Sequence, residues 1–278
     1  LKTVGGYISE NRREGARILG AHLEGPFISE KHIGAQSPDH VLKPDAEILN
    51  EFIKASENNV KLITLAPEKE GAHELIEFAE KNNITVSAGH TDSGFIDIKN
   101  AIEFGLSCIT HTYNAQKPLH HREVGTVGSA FYFDQLYTEI ICDLIHVSPP
   151  AIKLLIKNKP KDKIILITDS MRAKYLPDGE SELGGQTVIV KDGEARLKNG
   201  ALAGSVLKMN EAIKNLVISC DVKFTDAIDF ATVNPAKNLG VFDSIGSISV
   251  GKKADFTVMN EDFSIAKTVR DGLTIFEN

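Results

Sequence analysis

The chain has 278 residues, 42% of them hydrophobic and 25% charged, with a net charge of −7. That length supports one large α/β unit with a sizeable core, and the acidic balance argues against a general nucleic-acid binder while leaving room for a local anion site. No apolar run reaches the roughly 18–20 residues of a membrane span, no signal-peptide pattern is visible, and three widely spaced cysteines, Cys108, Cys142 and Cys220, fit a reducing cytoplasm better than a disulfide framework.

Residues 1–15 are polar and read as a helix, and the chain starts inside it at Leu1. Residues 16–23 read as a buried strand running into Glu24, where Gly25-Pro26 stops it. A loop follows through Gly34, Ala35, Gln36 and Pro38. Pro44-Asp45 then opens a helix to about residue 58. Residues 60–66 form the next strand, closed by Pro67-Glu68, and 73–82 a helix. Residues 84–88 are a strand ending in Gly89-His90-Thr91-Asp92. Residues 93–104 are a helix with Gly105 as its terminal glycine. The strand at 106–110 leads into His111-Thr112-Tyr113-Asn114-Ala115 and then His120-His121-Arg122. A strand at 137–142 ends in Asp143 and His146, a helix covers 149–157, and a very apolar strand at 163–168 ends in Asp169.

Strands alternating with helices at short spacing indicate βαβ units and a parallel sheet. Six such strands are visible. A (β/α)8 barrel needs eight. It is nonetheless favoured over a doubly wound sheet, because ionisable residues end several non-adjacent strands and no glycine-rich nucleotide loop is present. Beyond Asp169 the pattern changes. Residues 185–197 read as a hairpin turning at Asp192-Gly193. Leu202-Ala203-Gly204-Ser205 precedes a helix at about 206–219, further helices start near 225 and 234, and 247–278 is β-rich. That tail is too short to bury a core alone.

Glu24, His90 and His111 are the residue types that hold Zn2+ or Fe2+, and three protein ligands leave a position open for water. Asp169, at a fourth tip, is the candidate acid–base group. Any one of these alone would more often be a solvated or capping residue. Their shared position at strand ends is what makes a site. Arg122 in the long loop suits bidentate recognition of a phosphate or carboxylate. His146 reads as a substrate donor or a further ligand. His22, two residues before Glu24 and on the same side of the strand, reads as a support for the ligand set. His32, His40, His73, His120 and His121 read as surface residues.

In order, the segments His22-Leu-Glu24-Gly-Pro-Phe, Ser87-Ala-Gly-His90-Thr, Thr110-His111-Thr-Tyr-Asn114-Ala115, Arg122-Glu, Asp143-Leu-Ile-His146, Thr168-Asp169 and Leu202-Ala-Gly-Ser205 resemble the N-acetylglucosamine-6-phosphate deacetylases of the amidohydrolase superfamily. The resemblance implies a metal-dependent TIM-type barrel whose first strands are missing from this chain, with part of a small β-sandwich domain. Residues 1–240 would carry barrel strands 3 to 8, and 241–278 the β unit. It implies Glu24, His90 and His111 as metal ligands and Asp169 as catalytic residue. It implies substrate contacts from Ala35, Asn114, Ala115, Arg122, His146, Leu202, Ala203 and Gly204, with Arg122 able to reach a neighbouring subunit. Gln36 stands where some members have a histidine, and would polarise the acetyl carbonyl without a charge.

The implied cofactor is one divalent ion, Zn2+ or Fe2+. The family's other ligand pair lies on a strand not seen here, which leaves a second ion undecided. The implied activity is hydrolysis of the acetamide of a sugar phosphate in amino-sugar catabolism. A cytoplasmic homodimer without nucleic-acid or membrane partners is expected. Two rivals stand beside this reading. One is another amidohydrolase reaction, dihydroorotase-like or deaminase-like, although no lysine ends any of the six strands. The other is an inactive, N-terminally shortened metal-binding domain.

Overall fold

A computed structural model describes residues 1–278 apart from Asn11 and Arg13. The chain opens with α1 (Lys2–Ser9), and the share of the expected first helix that falls on residues 11 and 13 lies outside the described residues. Six strands alternate with helices: β1 (Ala21–Glu24), α2 (Ala46–Ala55), β2 (Val60–Leu65), α3 (Ala72–Lys81), β3 (Thr85–Ala88), α4 (Phe95–Phe104), β4 (Leu106–Ile109), α5 (Gly125–Tyr132), β5 (Tyr137–Ile141), α6 (Pro149–Asn158) and β6 (Ile164–Ile167). All six strands pair in parallel in the order of the sequence. This is the curved sheet and helix layer of a partial (β/α)8 barrel.

Local chemistry explains where the elements start and stop. Asp45 caps α2 by accepting from the backbone N–H groups of Glu47 at 2.7 Å and Ile48 at 3.2 Å. Gly105 ends α4 in the left-handed conformation, φ 119°. The strand β2 is buried on both faces except at Lys61, as a parallel strand between helices and barrel interior should be. By contrast β1 is shorter and more open than its sequence indicates. It begins at Ala21 and, among the described residues, pairs with β2 alone and has no strand at its outer edge.

Two helix–sheet cores lie side by side. One joins β2–β4 to α2–α4 through Leu49, Ile63, Leu65, Leu75, Ile76 and Ile98. The other joins β5 and β6 to α6 and to the later helices α7 (Met209–Cys220) and α8 (Phe224–Ala231). A short α9 (Val233–Asn238) follows them. All three cysteines are buried, as the apolar runs around Cys108 and Cys142 indicate.

Between β6 and α7 the expected hairpin is present as β8 (Gln186–Lys191) and β9 (Glu194–Leu197), and a third antiparallel strand, β7 (Gly179–Leu183), joins it. The helix expected from residue 206 starts later, at Met209. Ser205 and Leu207 are first tied into the turn after β6, where Leu207 accepts from the Ser170 hydroxyl. The C-terminal strands β10 (Phe256–Met259), β11 (Ile265–Arg270) and β12 (Leu273–Glu277) form a separate antiparallel sheet. It is fastened to the start of the chain. The Arg17 guanidinium forks onto Asp255 at 3.0 Å and Asp271 at 2.6 Å, and Arg270 donates to the carbonyl of Gly15 at 3.1 Å.

Candidate metal centre

Each presumed ligand leaves its strand at the C-terminal tip. Three of the four tip residues adopt a left-handed backbone: His90 at φ 48°, His111 at φ 28° and Asp169 at φ 48°. For residues with a Cβ this costs about 1–2 kcal/mol each, and such strain persists where surrounding contacts over-determine it. The turn aims each side chain off the ladder and into the sheet's mouth. The loops pack tightly there. A Cβ on Gly34 would lie 3.1 Å from His90 Cε1 and 3.8 Å from the Ala115 side chain, so the loops after β1, β3 and β4 meet at one point.

Three donor atoms converge. Glu24 Oε1 lies 2.8 Å from His90 Nε2 and 3.5 Å from His111 Nε2, and the two imidazole nitrogens are 3.1 Å apart. Donors that share an ion at bonds of about 2 Å stand about 3–3.5 Å from one another, so the set fits a metal. The ring of His90 is already oriented for it. Its Nδ1–H donates to the backbone carbonyl of His32 at 2.8 Å, which leaves Nε2 as the ring nitrogen facing the cluster. His111 Nδ1 is buried with no partner among the described residues.

The electrostatics match this crowding. Burial raises the Glu24 carboxyl, but the hydrogen bonds from His111 and His90 outweigh it and hold it well below the usual range. Burial lowers His111, yet Glu24 and, more weakly, Asp169 and Glu139 win and raise it to about 9. Asp169 is pushed up by burial and by the Glu24 charge, with His111, His146 and His90 opposing. A bound cation would add its own field and favour the ionised carboxylates.

The other expected site residues divide into two groups. Gln36 stands beside the cluster, with its amide Nε2 at 3.5 Å from Glu24 Oε1. The Ala35 carbonyl accepts from Gln186 on β8 at 2.6 Å, which ties the loop after β1 to the small three-stranded sheet. Asn114 folds back on its own turn, donating from its side chain to the His111 carbonyl at 3.3 Å, and Ala115 is left-handed at φ 48°. His146 Nδ1 bonds Asp143 Oδ2 at 2.6 Å. The imidazole holds the Asp143 carboxyl low against the effect of burial, and Nε2 is the nitrogen left to face a ligand. Gly204 packs against the Asp169 carbonyl, and Ser205 N–H donates to it at 2.8 Å. Ala203 spends its N–H on Ala195 at 2.9 Å, and Leu202 bridges to Arg196. Arg122 stands apart from these. It is exposed with His120 and His121, and donates to His121 Nε2 at 2.7 Å.

Four features beyond the sequence reading shape the site. His32, expected only as a surface residue, holds His90 through its carbonyl. Glu68 accepts from the turn after His90. Glu139, only 4% exposed on β5, accepts from the His111 backbone N–H at 3.2 Å, and burial pushes its carboxyl to about 7. A charged residue inside the run Thr138-Glu139-Ile140-Ile141 was the available signal for it. Below the cluster, His22 Nε2, Thr64, Thr110 and Ser87 form a chain of hydrogen bonds at 2.7, 2.7 and 2.6 Å across four strands. His22 therefore reaches sideways to β2, not up to the ligands.

A parallel β/α sheet with a carboxylate, two imidazoles and an aspartate at its C-terminal tips defines the class of metal-dependent hydrolases built on barrels. The chain belongs to the amidohydrolase family, whose model matches residues 7–275. It is 43% identical over 262 residues to the N-acetylglucosamine-6-phosphate deacetylase of Bacillus subtilis, covering 94% of this chain and 66% of that one. It is 35% identical to the N-acetylgalactosamine-6-phosphate deacetylase of Escherichia coli O157:H7, over 90% of this chain and 66% of the relative. The crystal structure of N-acetylglucosamine-6-phosphate deacetylase from Thermotoga maritima superposes with a TM-score of 0.93 at 37% identity, covering all of this chain and 74% of that one. The chain thus spans about two thirds of the length of the curated relatives it matches. No helix among the described residues is long and apolar enough to cross a membrane.

Proposed function

We propose that the chain carries the catalytic residues for hydrolysis of N-acetylglucosamine 6-phosphate to glucosamine 6-phosphate and acetate. The observation that carries this reading is the convergence of Glu24, His90 and His111 donor atoms within 3.5 Å beside Asp169. A divalent ion held by these three, Zn2+ or Fe2+, would polarise the acetyl carbonyl and acidify the attacking water. Asp169 accepts the water's proton on its carboxylate and returns it to the departing amine nitrogen. The upward pull of burial and Glu24 on its carboxyl suits a group that must both take and give a proton. Gln36 offers its amide N–H to the carbonyl oxygen. His146, with Nδ1 engaged by Asp143, presents Nε2 to a sugar hydroxyl.

Asn114, the Ala115 backbone and Arg122 take the phosphate, and the backbone of residues 202–204 closes the sugar side next to Asp169. Arg122 is exposed on its own chain, which fits a role across the interface of a cytoplasmic homodimer. The same reading divides the chain into a catalytic body, 1–240, and a small β unit, 241–278.

The test is acetate release from N-acetylglucosamine 6-phosphate with and without added Zn2+ or Fe2+. Unphosphorylated N-acetylglucosamine and N-acetylgalactosamine 6-phosphate serve as comparison substrates. Metal-dependent release that requires the phosphate is expected, and Asp169→Asn should lower kcat by about 10²–10⁴-fold with metal still bound. Near-normal turnover of Asp169→Asn, or equal rates on the unphosphorylated sugar, would sink the reading.

A further inference from the structure

We infer that Glu68 is a positioning residue that clamps the turn after His90 and, through it, the segment carrying Asn114 and Ala115, so that the metal site and the substrate-phosphate loop are set by one carboxylate. The inference rests on the site assignment proposed above. Glu68 follows Pro67 at the tip of β2 and lies outside the ligand set. Its two oxygens accept from three consecutive residues beyond His90. Oε1 takes the Asp92 backbone N–H at 2.7 Å, and Oε2 takes the hydroxyls of Thr91 at 2.5 Å and Ser93 at 2.7 Å. Thr91 and Ser93 are fully buried, so each hydroxyl would be costly to leave unmade. Among the described residues no cation pairs with Glu68, so its bonds to this turn account for its placement.

The clamped turn is joined in its turn to the next loop. Thr91 N–H donates to the Ala115 carbonyl at 3.2 Å, and Lys117 N–H donates to the Thr91 carbonyl at 3.1 Å. Ser93 offers its carbonyl to the Thr126 hydroxyl at 2.9 Å, at the start of α5. The carboxylate therefore connects the tips of β2, β3 and β4 in one path. The path matters because His90 sits at φ 48° and Ala115 at the same angle. Both conformations relax unless neighbours hold them.

Glutamine should replace Glu68 well. Its carbonyl can take the Asp92 N–H while its amide donates to the Thr91 and Ser93 hydroxyls, which rotate to accept. Alanine removes every acceptor at once.

The experiment compares Glu68→Ala and Glu68→Gln in the full chain, by Zn2+ competition against a chromophoric chelator and by amide hydrogen exchange. Glu68→Ala should weaken Zn2+ about 10–100-fold. It should also speed exchange of the Asp92 and Lys117 amides by about tenfold, with the β5 and β6 amides unchanged. Glu68→Gln should stay within about threefold on both readouts. A Glu68→Ala chain that binds Zn2+ like the wild type overturns the inference. So does faster exchange at Asp92 with none at Lys117, or a Glu68→Gln loss equal to that of alanine. If Glu68→Ala fails to fold, Ser93→Ala removes one donor only and must show both changes at smaller size; no change in either overturns the inference. Neither readout uses turnover, so failure of the deacetylase reading is seen separately.

Discussion

His90 and His111 leave adjacent strands, β3 and β4, and bring their Nε2 atoms to 3.1 Å, yet they are held from opposite ends. The His90 ring is pinned through Nδ1 by the His32 carbonyl, and its turn is gripped by Glu68. The His111 ring has no such pin among the described residues. Its backbone is held instead, with Glu139 taking the His111 N–H through its side chain and the Thr112 N–H through its carbonyl at 2.9 Å. A histidine can thus be delivered to a cluster by fixing its ring or by fixing the chain that bears it. Only the first also selects the tautomer.

The largest effect should come from the rings. His90→Ala and His111→Ala should each lower Zn2+ affinity beyond the roughly 10–100-fold typical of losing an outer partner, measured by calorimetric titration. If either keeps wild-type affinity, the triad is not the ligand set. Next, Glu139→Leu releases the His111 backbone. It should weaken Zn2+ by about tenfold and lower stability by about 1–3 kcal/mol, because the buried His111 N–H loses its side-chain acceptor. A lower melting temperature with intact metal affinity would make Glu139 structural only.

Gly34→Ala should touch one histidine and not the other. The residue sits at φ 61°, and its new methyl would lie 3.1 Å from His90 Cε1. A stability loss of about 1–2 kcal/mol is expected. The His90 imidazole resonances should shift while those of His111 stay, and a reverse pattern would show that the contact is wrong.

The last effect concerns α5, which follows the His111 loop, and is seen only as pH changes. Buried Lys159 donates to the carbonyls of Ala130 and Phe133 at 2.8 and 2.7 Å, and burial lowers its ammonium to about 8. The unfolded chain then holds the extra proton between about pH 8 and 10.4, so the wild type should gain stability as pH rises through that window. Lys159→Met should lack that gain. Parallel melting curves for the two chains across the window would mean that burial does not lower the Lys159 ammonium in the folded chain.

The strand tips were readable because each apolar run breaks at one ionisable residue, and that break survives any error in strand length. The helix α5 was not. Its sequence, Gly-Thr-Val-Gly-Ser-Ala-Phe-Tyr, carries two glycines and little helix propensity. It is helical because six of its eight residues are buried against the sheet. The strand β7 was hidden in the same way, since it is mostly exposed and exists by pairing with β8, although Gly184-Gly185 marked the turn between them. At the site, the three converging donors followed from their residue types. Glu68 and Glu139 did not, because their partners include backbone N–H groups, which every residue but proline possesses. Glu68 closes its strand in the same manner as Glu24, and its form alone could not say whether it faces a metal or a turn.

The Arg17 fork joins positions 238 and 254 residues apart. Closing so long a loop is costly at the outset, though the cost grows only slowly with length. The fork therefore forms late, once the intervening strands have brought the two ends together. Synthesis runs from the N-terminal side, so Arg17 waits without its carboxylates until the strands beside Asp255 and Asp271 appear. The sheet β10–β12 thus works as a late-closing latch. A ribosome-bound chain stopped before Asp255 should leave the region around Arg17 open to protease, and extension past Asp271 should close it.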